Sequence, residues 1–370
     1  GSAANAGAEV VLLDIALEGD NPNQLADKAK DQMARKGAVG ALMSSRFLDK
    51  VTVGNIRDNL DLLADCDWIV EVVVENLDIK RKLYLDIEKV RKDGAVVSSN
   101  TSTIPLASLM DGMPQRLQQS FMITHFFNPP RHMRLLEIVG GPKTEAAALQ
   151  AVSNFCDQSM GKTLVDCKDR PGFIANRLGV YWMQCALHEA VKAQLSVEDG
   201  DAIMSRPCGF PGTGIFGLFD LIGIDLMPSV SSSLSGMLED GDAFHEYTAV
   251  VPEVSAMLEK GLLGRKSGAG FYRVTKTADG CKLKESYCLQ TGAYRAFKRS
   301  SLMGAKLAPT QLRTLLEQQM PAGNMLGLFC PKLCPMPLNW LAMPVTSSLV
   351  LMRLCALVIT GVMVPLRCWI

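Results

Sequence analysis

The chain has 370 residues, enough for two or three domains that each bury a core of their own. Its 38 Lys and Arg residues balance its 38 Asp and Glu residues, so charge gives no indication of a nucleic-acid or anionic-surface partner. The 11 cysteines form no CxxC pair and no zinc-type spacing. This pattern is typical of reduced thiols in a cytosolic protein, without disulfides or a bound metal.

The chain opens with a short helical segment and a strand. Residues 10–13 predict a buried strand that ends at Asp14, where dinucleotide-binding units place an acid on the cofactor ribose. That interpretation normally requires a glycine-rich turn about 20 residues earlier. Only 13 residues precede Asp14, so we expect the first strand and its turn to lie outside this chain.

Strands and helices then alternate as far as Cys167. The predicted helices cover residues 22–37, 77–92 and 142–160, and the predicted strands cover residues 51–54, 68–76, 95–99, 122–127, 135–139 and 163–167. Repeats of this length favour right-handed crossovers. The first region is therefore predicted to be an α/β unit with a Rossmann-like doubly wound parallel sheet.

Three polar residues lie on or next to these strands. Ser102 follows one strand, His125 lies on the next, and Glu137 on the one after. A carboxylate beside an imidazole fixes its tautomer and stabilises the imidazolium that forms when it accepts a proton. The spacing therefore predicts a proton-transfer site, and the alternative is a hydrogen-bonded structural histidine beside two loop residues.

The alternation stops near Arg170. From Pro171 onward the pattern predicts helices only, over residues 174–194, 196–204 and 215–227. We expect a first domain over residues 1–169, a helical domain over 170–300 and a linker over 301–324.

Several motifs occur in an order that resembles the 3-hydroxyacyl-CoA dehydrogenases. They are Ser99-Asn100-Thr101-Ser102, His125-Phe126-Phe127-Asn128-Pro129, Leu136-Glu137, the segment KDRPGFIANR at 168–177 and the segment GRKSGAGFY at 264–272. The resemblance runs from about residue 3 to about residue 316. It is most similar to the dehydrogenase part of bacterial multifunctional fatty-acid β-oxidation enzymes.

The resemblance implies an NAD-dependent oxidation of (S)-3-hydroxyacyl-CoA, in the cleft between the two domains. It implies that His125 is the general base, that Glu137 is its partner, and that Ser102 and Asn176 position the reacting oxygen. The residues implied to surround the NAD are Asp14, Glu75, Lys80, Asn128 and Lys266. It further implies an acyl-CoA thioester as partner and a homodimer formed through the helical domain.

The last segment departs from the family pattern. Residues 325–370 contain no Asp or Glu, and residues 347–365 are apolar apart from Arg353. A shifted reading frame rebuilds each codon from the last base of one codon and the first two bases of the next. For some choices of synonymous codons, this frame encodes GYNWGYGPFEMLD within the segment. This sequence resembles the second helical repeat of the same family, so we expect the tail from about Asn324 to be a frameshift product.

Three hypotheses follow. The first is an active NAD-dependent dehydrogenase, and the second is a catalytically silent fragment that cannot hold NAD because the glycine-rich turn is missing. The third is a protein anchored in a membrane by residues 347–365, which a soluble chain would contradict.

Overall fold

The computed structural model describes residues 1–35, 41–205, 212–277 and 279–302. These residues divide into two compact units after Phe173. The predicted frameshifted tail and all but the first two residues of the predicted linker lie outside the described residues.

The first unit alternates strands and helices, as predicted. Its strands are β1 (Val10–Asp14), β2 (Val51–Asn55), β3 (Trp68–Glu71), β4 (Val96–Ser99), β5 (Phe121–Phe126), β6 (Leu135–Gly140) and β7 (Thr163–Asp166). Its helices are α1 (Ser2–Asn5), α2 (Gln24–Met33), α3 (Leu77–Val90), α4 (Leu106–Met110), α5 (Gln115–Gln119) and α6 (Ala146–Asn154). Strands β1 and β2 form one parallel pair, and a second sheet has the order β3-β4-β5-β6-β7.

The predicted Rossmann-like parallel sheet is confirmed, with one antiparallel pair of strands that the sequence did not indicate. All neighbours in the five-stranded sheet run parallel except β5 and β6, which run antiparallel. Only residues 127–134 connect these two strands. A parallel crossover needs a dozen or more residues, so this short connection can only return the chain in the opposite direction.

The core of the first unit lies on the central strands. Val97, Ile123 and Leu135 are fully buried, as expected of strands covered on both faces. The ring of Tyr84 on α3 packs edge-on against Phe121 with the ring centroids 5.0 Å apart.

Strand β3 is shorter than the predicted strand over residues 68–76. It ends at Glu71, and Val72 and Val74 are 71% and 64% exposed. The predicted helix from residue 77 is confirmed, because Asn76 caps α3 by accepting a hydrogen bond from the Ile79 N–H over 3.0 Å.

The second unit is mainly helical, which confirms the predicted class. Its helices are α7 (Ala175–Lys192), α8 (Val197–Ile203), α9 (Gly214–Ile222), α10 (Leu226–Ser235) and α11 (Pro252–Glu259). The expectation of helices alone is wrong after these, because an antiparallel sheet follows with β8 (Tyr272–Lys276), β9 (Lys282–Cys288) and β10 (Ala293–Ala296).

The predicted helix over residues 215–227 is broken. Helix α9 ends before Gly223, whose φ of +113° no right-handed helix can hold, and α10 begins at Leu226. The two helices meet at a bend of 95°. Within the described ranges, no single helix has both the length and the apolar composition needed to cross a membrane, although this bent pair passes that test jointly.

Candidate active site

His125 and Glu137 face each other across the antiparallel pair β5–β6. They are register partners, and the Nδ1 atom of His125 lies 2.7 Å from the Oε2 atom of Glu137. Both side chains are nearly inaccessible to solvent, at 7% and 1% exposure. The antiparallel direction of β6 thus places on adjacent strands two residues that are twelve positions apart in the chain.

The surroundings of this pair are largely apolar. The rings of Phe127 and Phe173 pack against His125 with centroid distances of 4.5 and 5.5 Å. The Cys167 thiol lies 3.7 Å from Oε1 of Glu137. Hydrogen bonds between polar groups are electrostatically stronger in such an environment than in water, so the two side chains hold each other firmly.

Ser102 lies in a turn that follows β4. The turn is tied to the His125 strand through Asn100, whose Oδ1 accepts a hydrogen bond from the Phe126 N–H over 2.9 Å. The Ser102 N–H donates to Oε1 of Glu75 over 3.2 Å. The structure therefore fixes the backbone that carries Ser102 to the strand that carries His125.

Glu75 binds this turn through several donors. Its Oε1 atom accepts hydrogen bonds from the Thr101 hydroxyl and from both the N–H and the hydroxyl of Thr103. Burial opposes its charge, but these donors and the nearby Lys80 ammonium lower the pKa of Glu75 to about 2. Glu75 is thus a charged carboxylate whose hydrogen bonds hold the turn formed by Thr101, Ser102 and Thr103.

Lys80 does not reach the surface. Its side chain is 1% exposed, and its Nζ lies 2.8 Å from Oε1 of Glu71 and 3.2 Å from Oε2 of Glu75. A buried ammonium requires such partners because desolvation is costly. The sequence resemblance places Lys80 around the NAD, and the structure places its charge between two carboxylates.

Glu71 was missed by sequence reasoning. Its carboxylate is buried at the end of β3 and accepts hydrogen bonds from Lys80, Tyr84 and Ser99. The signal was present in the sequence, since an acidic residue inside the apolar run at 68–74 must find donors when the strand is buried.

The strand ends that are expected to hold the dinucleotide combine carboxylates with exposed apolar side chains. Asp14 ends β1 and is followed by Ile15, which is 59% exposed, and the exposed Val72 and Val74 lie between β3 and Glu75. A dinucleotide presents ribose hydroxyls together with flat rings, so hydrogen-bond acceptors beside apolar surface fit NAD.

Three further predicted residues have the following positions. Asn128 is exposed just after β5, and Asn176 is half-buried in the first turn of α7 in the second unit. Lys266, also in the second unit, forms an ion pair with Asp225 at 2.7 Å, and this hydrogen bond lowers the pKa of Asp225.

Among the residues that the structure describes, no group of three or more His, Cys, Asp or Glu side chains could hold a metal ion.

Comparisons with known proteins match both units. The family model for the NAD binding domain of 3-hydroxyacyl-CoA dehydrogenase matches residues 1–170, and the model for the C-terminal domain matches residues 172–274. A protein of Deinococcus radiodurans named probable 3-hydroxyacyl-CoA dehydrogenase is 36% identical over 74% of this chain and 78% of its own length.

Two other similarities agree with this match. A putative fatty acid oxidation complex trifunctional enzyme of Rickettsia felis is 40% identical over 80% of this chain, and the chain spans 41% of that protein. The crystal structure of 3-hydroxybutyryl-CoA dehydrogenase from Escherichia coli has a TM-score of 0.60 at 25% identity, covering 77% of this chain and 62% of that one. The chain therefore belongs to the 3-hydroxyacyl-CoA dehydrogenases, a family of NAD-dependent oxidoreductases.

Proposed function

We propose that the chain oxidises (S)-3-hydroxyacyl-CoA to 3-oxoacyl-CoA, with His125 as the general base. The observation that carries this proposal is the buried contact of 2.7 Å between His125 and Glu137. NAD, when bound, supplies the acceptor for the hydride that leaves C3 of the substrate. Asp14 at the end of β1 would hold its ribose.

The geometry supports a specific protonation state of His125. With Glu137 next to Nδ1, that nitrogen carries the proton and donates it to the carboxylate, which leaves Nε2 as an acceptor. The 3-hydroxyl proton passes to Nε2 as its oxygen becomes a carbonyl. The negative charge of Glu137 then stabilises the imidazolium, so proton transfer needs no rearrangement of the pair.

Ser102 is proposed to position the same substrate oxygen. Its hydroxyl can donate a hydrogen bond to the oxygen, and the contacts of its turn with Glu75 and Asn100 limit its movement. Asn176 keeps the role that the family resemblance implies, as a second hydrogen-bonding group at this oxygen.

The proposal also includes an acyl-CoA substrate, a role in fatty-acid β-oxidation, a cytoplasmic location and a homodimer. Exposed apolar residues on α9 and α10, namely Leu221, Ile222, Leu226 and Val230, favour pairing through the helical unit. Light scattering tests this part, since a dimer would have twice the mass of the chain and would dissociate in a Leu226→Asp variant.

The reaction itself is tested in two steps. Calorimetry measures NAD binding to the chain, and the absorbance of NADH measures turnover with an (S)-3-hydroxyacyl-CoA. We expect saturable binding and NADH formation that depends on both reactants. NAD binding without turnover would contradict the reaction, and a failure to bind NAD would favour a catalytically silent fragment.

A further inference from the structure

Glu71 occupies a central position in a buried network that the proposed proton transfer does not use. Its carboxylate accepts hydrogen bonds from Lys80 at 2.8 Å, from the Tyr84 hydroxyl at 2.6 Å and from the Ser99 hydroxyl at 2.7 Å. The backbone N–H of Val73 donates to the same carboxylate at 2.6 Å. Four donors on one buried carboxylate hold it in a single orientation.

A short route leads from this carboxylate to the turn that carries Ser102. The Ser99 hydroxyl donates to Oε2 of Glu71, and its oxygen accepts a hydrogen bond from the Thr101 N–H over 3.2 Å. The Asn100 N–H also donates to the backbone carbonyl of Glu71 over 2.9 Å. The first half of the turn is therefore attached directly to the end of β3.

A second route reaches the other half of the turn through two ion pairs of Lys80. Lys80 bridges Glu71 and Glu75 with its single ammonium, at 2.8 and 3.2 Å. Glu75 in turn accepts the backbone N–H of Ser102 at 3.2 Å. Because Lys80 is buried, its charge fixes the separation of the two carboxylates with little screening by solvent.

Both routes end next to the proposed base. Asn100, which lies between Ser99 and Thr101, accepts the Phe126 N–H directly after His125. A shift of Glu71 would thus be transmitted to the backbone of Ser102, which is proposed to position the substrate oxygen relative to His125.

We propose that Glu71 is a positioning residue, which sets the place of Ser102 through Ser99 and through the Lys80–Glu75 ion pair. This inference rests on the proposed function and gives Glu75 and Lys80 a part in the support of Ser102, in addition to the places around the NAD that the family resemblance implies for them. It predicts that loss of the network loosens the backbone of the Ser102 turn more than the backbone of the remaining sheet.

Amide hydrogen exchange tests the network without any activity measurement. Ser99→Ala removes the short route, and Glu71→Gln weakens both routes while conserving shape. Each should raise the exchange rates of the Thr101 and Ser102 amides by about tenfold, roughly the worth of one hydrogen bond. Tyr84→Phe is the matched control, because its hydroxyl binds the same carboxylate but lies on neither route.

Two exchange results would overturn the inference. One is unchanged exchange at the turn in folded Ser99→Ala and Glu71→Gln. The other is an equal increase throughout β5 and β6, which would indicate general destabilisation. Since this measurement needs no substrate, it stands even if the chain proves not to be a dehydrogenase.

Kinetics then test the link to Ser102. Glu71→Gln should lower kcat by about tenfold to 100-fold, because misplacement of a catalytic group by about 1 Å can cost about 100-fold. Ser102→Ala combined with Glu71→Gln should lose no more activity than Ser102→Ala alone, since both changes remove one function. Losses that multiply in the double variant would overturn the inference.

Discussion

The hydroxyl of Tyr272, the first residue of β8, donates a hydrogen bond to Oδ2 of Asp201 on α8 over 2.7 Å. The backbone N–H groups of Phe216 and Gly217 on α9 donate to the same carboxylate at 2.6 and 3.2 Å. Burial nevertheless raises the pKa of Asp201 to about 7, because desolvation of the charged form outweighs these donors. Two helices and one strand of the second unit therefore meet at a carboxyl group that titrates near neutral pH.

This contact predicts a pH dependence of stability. The folded chain retains a proton on Asp201 that the unfolded chain releases near pH 4, so the free energy of unfolding falls as pH rises from about 4 to about 7. Asp220, whose pKa burial raises to about 6, contributes in the same direction. Asp201→Asn should flatten this slope by up to about 1.4 kcal/mol per pH unit. Urea unfolding across this pH range measures it.

The matched control for this measurement is Asp240→Asn, which changes an exposed aspartate in the same unit. It should leave the slope as it is in the parent chain. An Asp201→Asn slope equal to that of the parent would show that this carboxyl group does not titrate in the predicted window.

Replacement of the proposed base should abolish most of the activity. We expect His125→Ala to lower kcat by about 100-fold to 10,000-fold, while acyl-CoA binding changes little, because a general base acts mainly in the transition state. His132→Ala changes an exposed histidine of the same unit and should leave kcat near the parent value. Steady-state rates with a 3-hydroxyacyl-CoA measure kcat for both variants. Near-normal turnover of His125→Ala would remove this residue from the mechanism.

Glu137→Gln separates a catalytic partner from a structural one. The change keeps the shape and one acceptor at 2.7 Å from His125 but removes the negative charge that favours the imidazolium. We expect a lower kcat, an acidic limb of the pH–rate profile that moves to lower pH, and a melting temperature within a few degrees of the parent. The exposed Glu145→Gln is the control. A lowered melting temperature with an unmoved acidic limb would assign Glu137 a structural role only.

Gly270 should not tolerate a side chain. A Cβ atom there would lie 2.1 Å from Oδ1 of Asp220 and 2.6 Å from the Cα atom of Gly264. Asp220 would have to move away from the Phe271 N–H that it accepts at 2.7 Å. We expect Gly270→Ala to cost about 1–3 kcal/mol of stability. Gly241→Ala, with no atom within 4 Å of its Cβ, should be close to neutral, and thermal unfolding of both variants provides the comparison.

The sequence alone determined the features that depend on neighbouring residues. The apolar runs around Val97, Ile123 and Leu136 predicted the central strands, since continuous apolar segments are typical of strands buried on both faces. The helical pattern of residues 77–92 likewise predicted α3, which begins at Leu77. The order of the motifs also indicated the family, because short signatures require only the chain itself.

Elements whose form depends on distant contacts were predicted less well. The apolar pattern continues past Gly223, so it predicted one helix where the structure has two. The sheet of β8, β9 and β10 was missed because its strands are short, polar and partly exposed, and they are held in place by carboxylates such as Glu198, which binds Ser286 and Arg295.

Only the tertiary structure decided which charged residues are buried and what they bind. Glu71 and Lys80 have the same side chains as the many exposed acids and lysines of the chain, and the apolar run around Glu71 indicates its burial but not its partners. Their burial follows from the pairing of β3 with β4 and from the packing of α3, which remove water and supply Tyr84 and Ser99 as donors. The free energy of a buried charge depends on partners that are distant in sequence, and those partners are fixed only when the chain has folded.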